Sequence, residues 1–311
     1  MQQTTNTILM VRPINFRMNE QTAVNNYYQK VIDSLLPETV NVKAQQEFDG
    51  FVEKLRGIGV HVMVVNDTDE FDTPDSIFPN NWISFHDNGT VGLYPMFAEN
   101  RRLERREDVL VRVEEEGFEI KQIVDYTSAE EENVFLEGTG SVVLDRTNGI
   151  AYCALSPRAH EDLFIEFCED FEFTPVVFTA YQTIQEKRLP IYHTNVMMCL
   201  GETFAVVCLD SIDDKKERKN LVKYLKETKK EIIDISENQV SNFAGNMLQL
   251  KNNNDDLYIV MSQAAFNCLS ANQISALEKH GKILSSSLDT IEACGGGSAR
   301  CMMAEVFLPK T

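Results

Sequence analysis

The chain has 311 residues, 43% of them apolar, with 29 Lys and Arg against 48 Asp and Glu and a formal charge of −19. A balance this acidic excludes a general nucleic-acid or anionic-membrane surface, and no apolar run reaches the ~20 residues of a membrane span. The N-terminal "MQQTTNTILMVRPINF" has no basic head followed by a long apolar stretch, so the expectation is a cytoplasmic protein without a secretory signal.

In chain order, "TILMVRP" reads as a first strand, residues 18–36 as a mixed segment compatible with helix, and 45–55 as a helix on its apolar spacing. "GIGVHVMVVN" (57–66) is a turn entering a strand. "SIFPNNWISFHDNGTVGLYPM" gives two strands around a turn at Asp87, Asn88 and Gly89. A charged helix follows from Arg101. "VFLEGTGSVVLDRTNGIAYCAL" repeats the pattern: strand, glycine loop, strand, turn, strand. A helix near 159–168 and the strand "TPVVFTA" come next. "PIYHTNVMMCLGETFAVVCLD" is two strands around a glycine turn, and "KKERKNLVKYLKETKKEIIDIS" is an amphipathic helix entering a strand. "AGNMLQLKNNNDDLYIVMS" is another hairpin, "ANQISALEKHG" a helix, and "IEACGGGSARCMMAEVFLP" closes the chain.

Hairpin turns near 88, 148, 201 and 253 recur every ~55–60 residues, which points to repeats of one supersecondary unit. Recurring antiparallel hairpins disfavour an ordinary doubly wound parallel sheet. Nothing resembles a linker, so a single domain over 1–311 is expected. The runs "RRLERRED" and "DDKKERKNLVKYLKETKK" alternate in sign as solvated helix faces do.

The chemistry-bearing candidates sit where apolar strands break. The seven cysteines form no tight CxxC pair, and Cys153, Cys199 and Cys208 lie in apolar runs that suit core packing. A disulfide framework and a zinc site both lack the spacing they need. "GTGSVV" and "GGGSAR" match neither a P-loop nor a full dinucleotide fingerprint. Successive glycines do allow close backbone approach. Cys301, at the end of such a loop, reads equally as a reactive thiol and as a buried structural one. Arg300 beside it would favour the thiolate if its side chain turned the same way. His193 opens an apolar run. Glu137 is an acid between a strand end and glycines, where a charge needs a partner or a function. Asn80 and Asn81 lie beside the only tryptophan, and Arg158 follows a strand. Cysteine, histidine and carboxylate are the parts of a nucleophile, a base and its orienter. Unrelated satisfied polar residues are the competing reading.

The segments "FPNNW", "LEGTGS", "SPR", "PIYHTNVMM" and "GGGSARCM", in this order, resemble the amidinotransferase and arginine-deiminase (pentein) superfamily over nearly the whole chain, closest to the bacterial citrulline-utilisation-type hydrolases. The resemblance implies an α/β fold, a five-bladed propeller of ββαβ units around a central pocket. It implies Cys301 as nucleophile, His193 as acid/base and Glu137 as its orienter. It places Arg158 at the substrate carboxylate, and Asn81 and Asn195 where many members carry carboxylates; Arg300 joins the substrate-binding candidates. It implies no metal or cofactor, a small guanidino or ureido substrate such as arginine or citrulline, and hydrolysis of a non-peptide C–N bond through an S-linked intermediate. Two amides in place of two acids shift the expectation modestly from free arginine towards a ureido compound, since an amide donates as well as accepts. An amidinotransferase and a non-catalytic binding protein of the same fold are the alternatives, and a homodimer is the base-rate expectation.

Overall fold

Ile8, Leu9 and Met10 make the strand Thr7–Arg12 apolar on both faces, and all three are buried. Such a strand belongs in the middle of a sheet. It pairs in parallel with His61–Asn66 and antiparallel with Ala304–Glu305, which joins the two ends of the sequence. Parallel pairing needs a long crossover. The helix Pro37–Gly57 supplies it, starting on a proline and burying Val40, Ala44, Phe48, Phe51, Val52 and Leu55 along one stripe. The computed structural model describes residues 1–32 and 35–310.

Four more three-stranded sheets follow the same order of pairing. In each, a hairpin is extended by a parallel third strand: Ile83–Phe85, Thr90–Leu93 and Gln122–Asp125; Val142–Asp145, Ile150–Leu155 and Thr174–Thr179. The last two are Met198–Leu200, Phe204–Val207 and Glu231–Asp234, then Leu248–Lys251, Leu257–Ser262 and Lys282–Ser286. A separate two-stranded hairpin, Tyr181–Ile184 with Lys187–Pro190, was not expected from the sequence.

The α/β class stands, but the expected five-bladed propeller does not. Among the described residues the strands form six separate sheets, five mixed and one an antiparallel pair, and no hydrogen-bonded ladder carries one sheet into the next. The sheets are therefore not closed into a barrel or propeller. Neighbours meet through side chains instead. One apolar cluster joins Leu9 and Met63 to Ile83, Phe85 and Val91, and another joins Tyr94 and Tyr126 to Val142 and Phe164. Helix formation over 18–36 is also limited: only Glu20–Ala23 is helical, and residues 33 and 34 lie outside the described residues.

What positions the site is a feature upstream of each sheet. A one-turn helical segment precedes the first strand of four units: Pro79–Asn81, Gly138–Ser141, Thr194–Met197 and, before the edge strand Ala304–Glu305, Ala299–Met302. A run of turns at 241–245 takes that place before Leu248–Lys251. These turns pack against one another. "GTGS" and "HTNVMM", read above as loop and strand, are such turns.

Candidate active site

The turns bring distant polar residues together because each carries one at its boundary. Asn81 ends the first turn, Glu137 immediately precedes the second, His193 immediately precedes the third, and Cys301 lies within the last. The turns can crowd this closely because of Gly140. A Cβ there would lie 2.4 Å from Asn81 Nδ2 and 2.8 Å from His193 Nδ1. Only a residue without a side chain lets both groups reach the same point.

His193 Nε2 is 2.7 Å from Glu137 Oε2, and both residues are essentially sealed from solvent. The second carboxylate oxygen accepts the Phe97 N–H at 3.0 Å, and Arg158 Nη1 lies 3.5 Å from Oε2. Burial would raise the Glu137 carboxyl, but the Arg158 charge, the His193 hydrogen bond and Arg101 outweigh it and hold it at about 2. Burial, with the charges of Arg158 and Arg101, lowers His193 to about 4 against the pull of Glu137. The resting pair is thus a carboxylate and a neutral imidazole. An ionised carboxylate only accepts, so Nε2 carries the proton and Nδ1 is left as the acceptor.

Cys301 is held by amides. Asn246 Nδ2 donates to its Sγ at 3.2 Å and to Asn195 O at 3.0 Å, while Asn246 Oδ1 accepts the Arg300 N–H. Asn195 Oδ1 is 3.8 Å from Sγ, and Asn195 Nδ2 donates to Thr139 O. Burial pushes the Cys301 thiol up, partly countered by the Ser298 backbone, Asn246, Arg300 and Asn195. Upstream, Gly296 ends the helix Asp289–Gly295 at φ +61, the left-handed cap that glycine takes without strain. Tyr192 Oη, Asn26 and Gln29 donate to the carbonyls of Gly295 and Gly296, which fixes the glycine run.

Cys301, His193, Asn81, Arg158, Arg101, Asp75 and Tyr192 all border one enclosed chamber. It measures about 10 Å³, room for roughly one water molecule. Arg158 is deeply engaged: Nε donates to Asn25 Oδ1 at 2.8 Å, Nη2 donates to Asn25 and Thr22 O, and the guanidinium stacks 4.8 Å above the Tyr192 ring. The two amides expected to act alike do not. Asn81 Oδ1 accepts from Arg101 at 2.8 Å, leaving its buried Nδ2 without a partner among the described residues. Asn195 has its N–H₂ engaged and turns its oxygen to the thiol. Arg300 is not brought to the chamber. A 3₁₀ turn points successive side chains about 120° apart, and its guanidinium goes to Met303 O and Glu305.

Four contributing residues escaped the sequence reading. Asp75 turns a carboxylate to the chamber; Asn19 and Thr22 bond its Oδ2, and Oδ1 has no partner among the described residues. Arg101 and Glu104, read as part of a solvated charge run, are buried and joined by two 2.8 Å hydrogen bonds. Their spacing in "RRLERRED" carries no mark that separates them from the exposed charges around them. Asn246 follows a glycine in "FAGNM", a signal no stronger than any turn.

Solved structures of similar shape include apo ArgZ, an arginine dihydrolase from the ornithine-ammonia cycle in Cyanobacteria, at 18% identity and a TM-score of 0.73 over 98% of this chain. This chain spans only 41% of the length of that one. The N-terminal domain of ArgZ bound to substrate matches at 20% identity and a TM-score of 0.71, over 97% of this chain and 99% of the domain. A dimethylarginine dimethylaminohydrolase adduct with S-methyl-L-thiocitrulline matches at 12% identity and 0.61, over 97% and 99% of the two chains. At these identities the likeness is one of fold. No curated protein sequence matches. A family profile described as "N,N dimethylarginine dimethylhydrolase, eukaryotic" matches residues 12–308, nearly the whole chain. The chain belongs to the N,N dimethylarginine dimethylhydrolase family.

Proposed function

We propose that this protein is a cysteine-dependent hydrolase that cleaves a C–N bond of a guanidino or ureido amino acid. In this reading residues 1–311 act as one catalytic domain. The observation that carries it is the buried 2.7 Å hydrogen bond from Glu137 to His193, which borders the same small chamber as Cys301. Glu137 fixes the imidazole so that Nδ1 can take the thiol proton. The Cys301 sulfur attacks the central carbon of the substrate and forms the S–C bond. His193 returns the proton to the departing nitrogen as the C–N bond breaks, then takes one from the water that hydrolyses the thio-intermediate. A buried thiol with a raised pKa needs help to ionise. A cationic guanidinium entering beside Asp75 supplies a positive charge that favours the thiolate.

The chamber, about 10 Å³ here, must widen to admit such a substrate, and its bordering side chains then offer partners for both ends. The unpartnered Oδ1 of Asp75 suits a cationic N–H, and the guanidiniums of Arg101 and Arg158 give the positive field a carboxylate requires. The free Asn81 N–H₂ favours a second reading, a neutral ureido oxygen accepting from it. The related structures bind or act on arginine and on a thiocitrulline. These compounds define the test: arginine, dimethylarginine, citrulline and agmatine, each with and without an amine acceptor, assayed for ammonia, amine and the remaining amino acid. Release from the guanidino or ureido compounds, independent of acceptor, is expected. Turnover only with an acceptor would make the protein a transferase. Agmatine, which lacks the carboxylate, should react far more slowly than arginine.

A further inference from the structure

Behind Asn195, seen from Cys301, lies a second cavity of about 30 Å³ that shares no lining residue with the chamber. Asn195 borders it and turns its side-chain oxygen to Cys301 on the other side. Two arginines line the cavity, Arg146 and Arg300, 4% and 7% exposed. A single carboxylate lines it, Glu305, and Arg300 holds that at 3.1 Å. Arg146 has no such partner. Its backbone N–H donates to Gln3 Oε1, its Nη1 lies 3.4 Å from His86 Nδ1, and its guanidinium sits 4.1 Å above the Phe307 ring. Among the described residues no carboxylate stands within ion-pair distance of it. His86 offers no charge: burial holds it neutral, and its Nε2 is bonded to Ser84 Oγ at 2.8 Å. The other side chains around the cavity, Gln3, Thr139 and Asn195 among them, are neutral.

Two buried cations therefore share one carboxylate around a small cavity whose remaining wall is neutral and largely apolar. A buried charge left uncompensated is costly. We propose that this rear cavity is a binding site for a small monovalent anion of chloride's size, held between Arg146 and Arg300. The volume is roughly that of two water-sized spheres, which suits a halide.

The test reads binding rather than turnover. Thermal unfolding is followed in sodium chloride and in sodium gluconate at matched ionic strength, for the intact protein and for Arg146→Met. Chloride should raise the midpoint by about 2 °C in a saturable way; gluconate, too large for the cavity, should not; and Arg146→Met should lose the difference. Equal shifts in the two salts, or a chloride effect kept by Arg146→Met, would overturn the proposal. Crystals of the unmodified protein soaked in bromide give an answer that does not depend on the variant folding. An anomalous peak between Arg146 and Arg300 supports the site, and no peak there at molar bromide rules it out.

Discussion

Two ion pairs in this molecule are equally buried and differ in what their atoms have left over. Lys230 Nζ lies 3.2 Å from Asp145, and Arg158 Nη1 lies 3.5 Å from Glu137; all four side chains are at most 2% exposed. Lys230 spends its remaining N–H bonds on the carbonyls of Gly201 and Glu202, and Asp145 also accepts from Asn148. Every valence there is closed, so the pair does no more than tie the turn after Val142–Asp145 to the next sheet. Glu137 instead shares its charge with an imidazole whose second nitrogen faces Gly140 and the Asn81 amide. Burial and pairing alone do not mark a site. A titratable neighbour with an open acceptor does.

That contrast breaks most readily at Glu137. Glu137→Gln should lower kcat about a thousandfold, within the range of a lost acid–base orienter, when turnover is referred to folded protein. A kcat within tenfold of the unmodified protein would reduce Glu137 to the standing of Asp145. Lys230→Met should do the reverse. Stranding Asp145 should cost about 3–5 kcal/mol of stability, read by denaturant unfolding, with kcat per folded molecule changed less than twofold.

The pH dependence of stability sharpens the same point. His193 and Glu137 both have folded pKa values below their unfolded ones, at about 4 and about 2. Each contribution is complete above the unfolded value and is lost as pH falls: for His193 from ~6.5 towards 4, for Glu137 from ~4.5 towards 2. Each window is worth about 3 kcal/mol at most. His193→Gln should flatten the upper window while Lys230→Met leaves it in place, and an unchanged slope in His193→Gln would contradict the assignment. The smallest effect expected is from Gly140→Ala. Its backbone conformation does not require glycine, but the new methyl displaces the buried Asn81 and His193, so it should cost about 1–3 kcal/mol of stability and lower kcat/KM per folded molecule roughly tenfold.

Much of this was legible in the sequence because local rules govern it. The hairpin turns near 88, 148, 201 and 253 announce themselves by glycine and asparagine between apolar runs, and the strands lie on both sides of them. Glu137, His193 and Cys301 stood out as polar residues interrupting such runs; His193 and Cys301 border one chamber, and Glu137 is bonded to His193. What local rules do not carry is direction. Arg300 neighbours Cys301 in sequence yet faces Glu305, because the tight turn sends the two side chains apart. The segment 18–36 has helical composition, but Asn19, Thr22, Asn25, Asn26 and Gln29 spend their side chains on Asp75, Arg158 and the glycine carbonyls. Those bonds reach across the fold and override propensity. Closure of the sheets was implied by the resemblance alone; the strand ladders end inside each unit, and side-chain packing takes over.

In the proposed mechanism the Cys301 sulfur forms the bond to the substrate carbon. Labelling with 2-chloroacetamidine, which gives a thioether with loss of chloride, followed by mass measurement of the peptide that carries residue 301, checks this at the atom concerned. One label per chain is expected, on Cys301, with activity lost in step and protection by a turned-over substrate. Inactivation with Cys301 unlabelled, or turnover near that of the unmodified protein in Cys301→Ser, would contradict it.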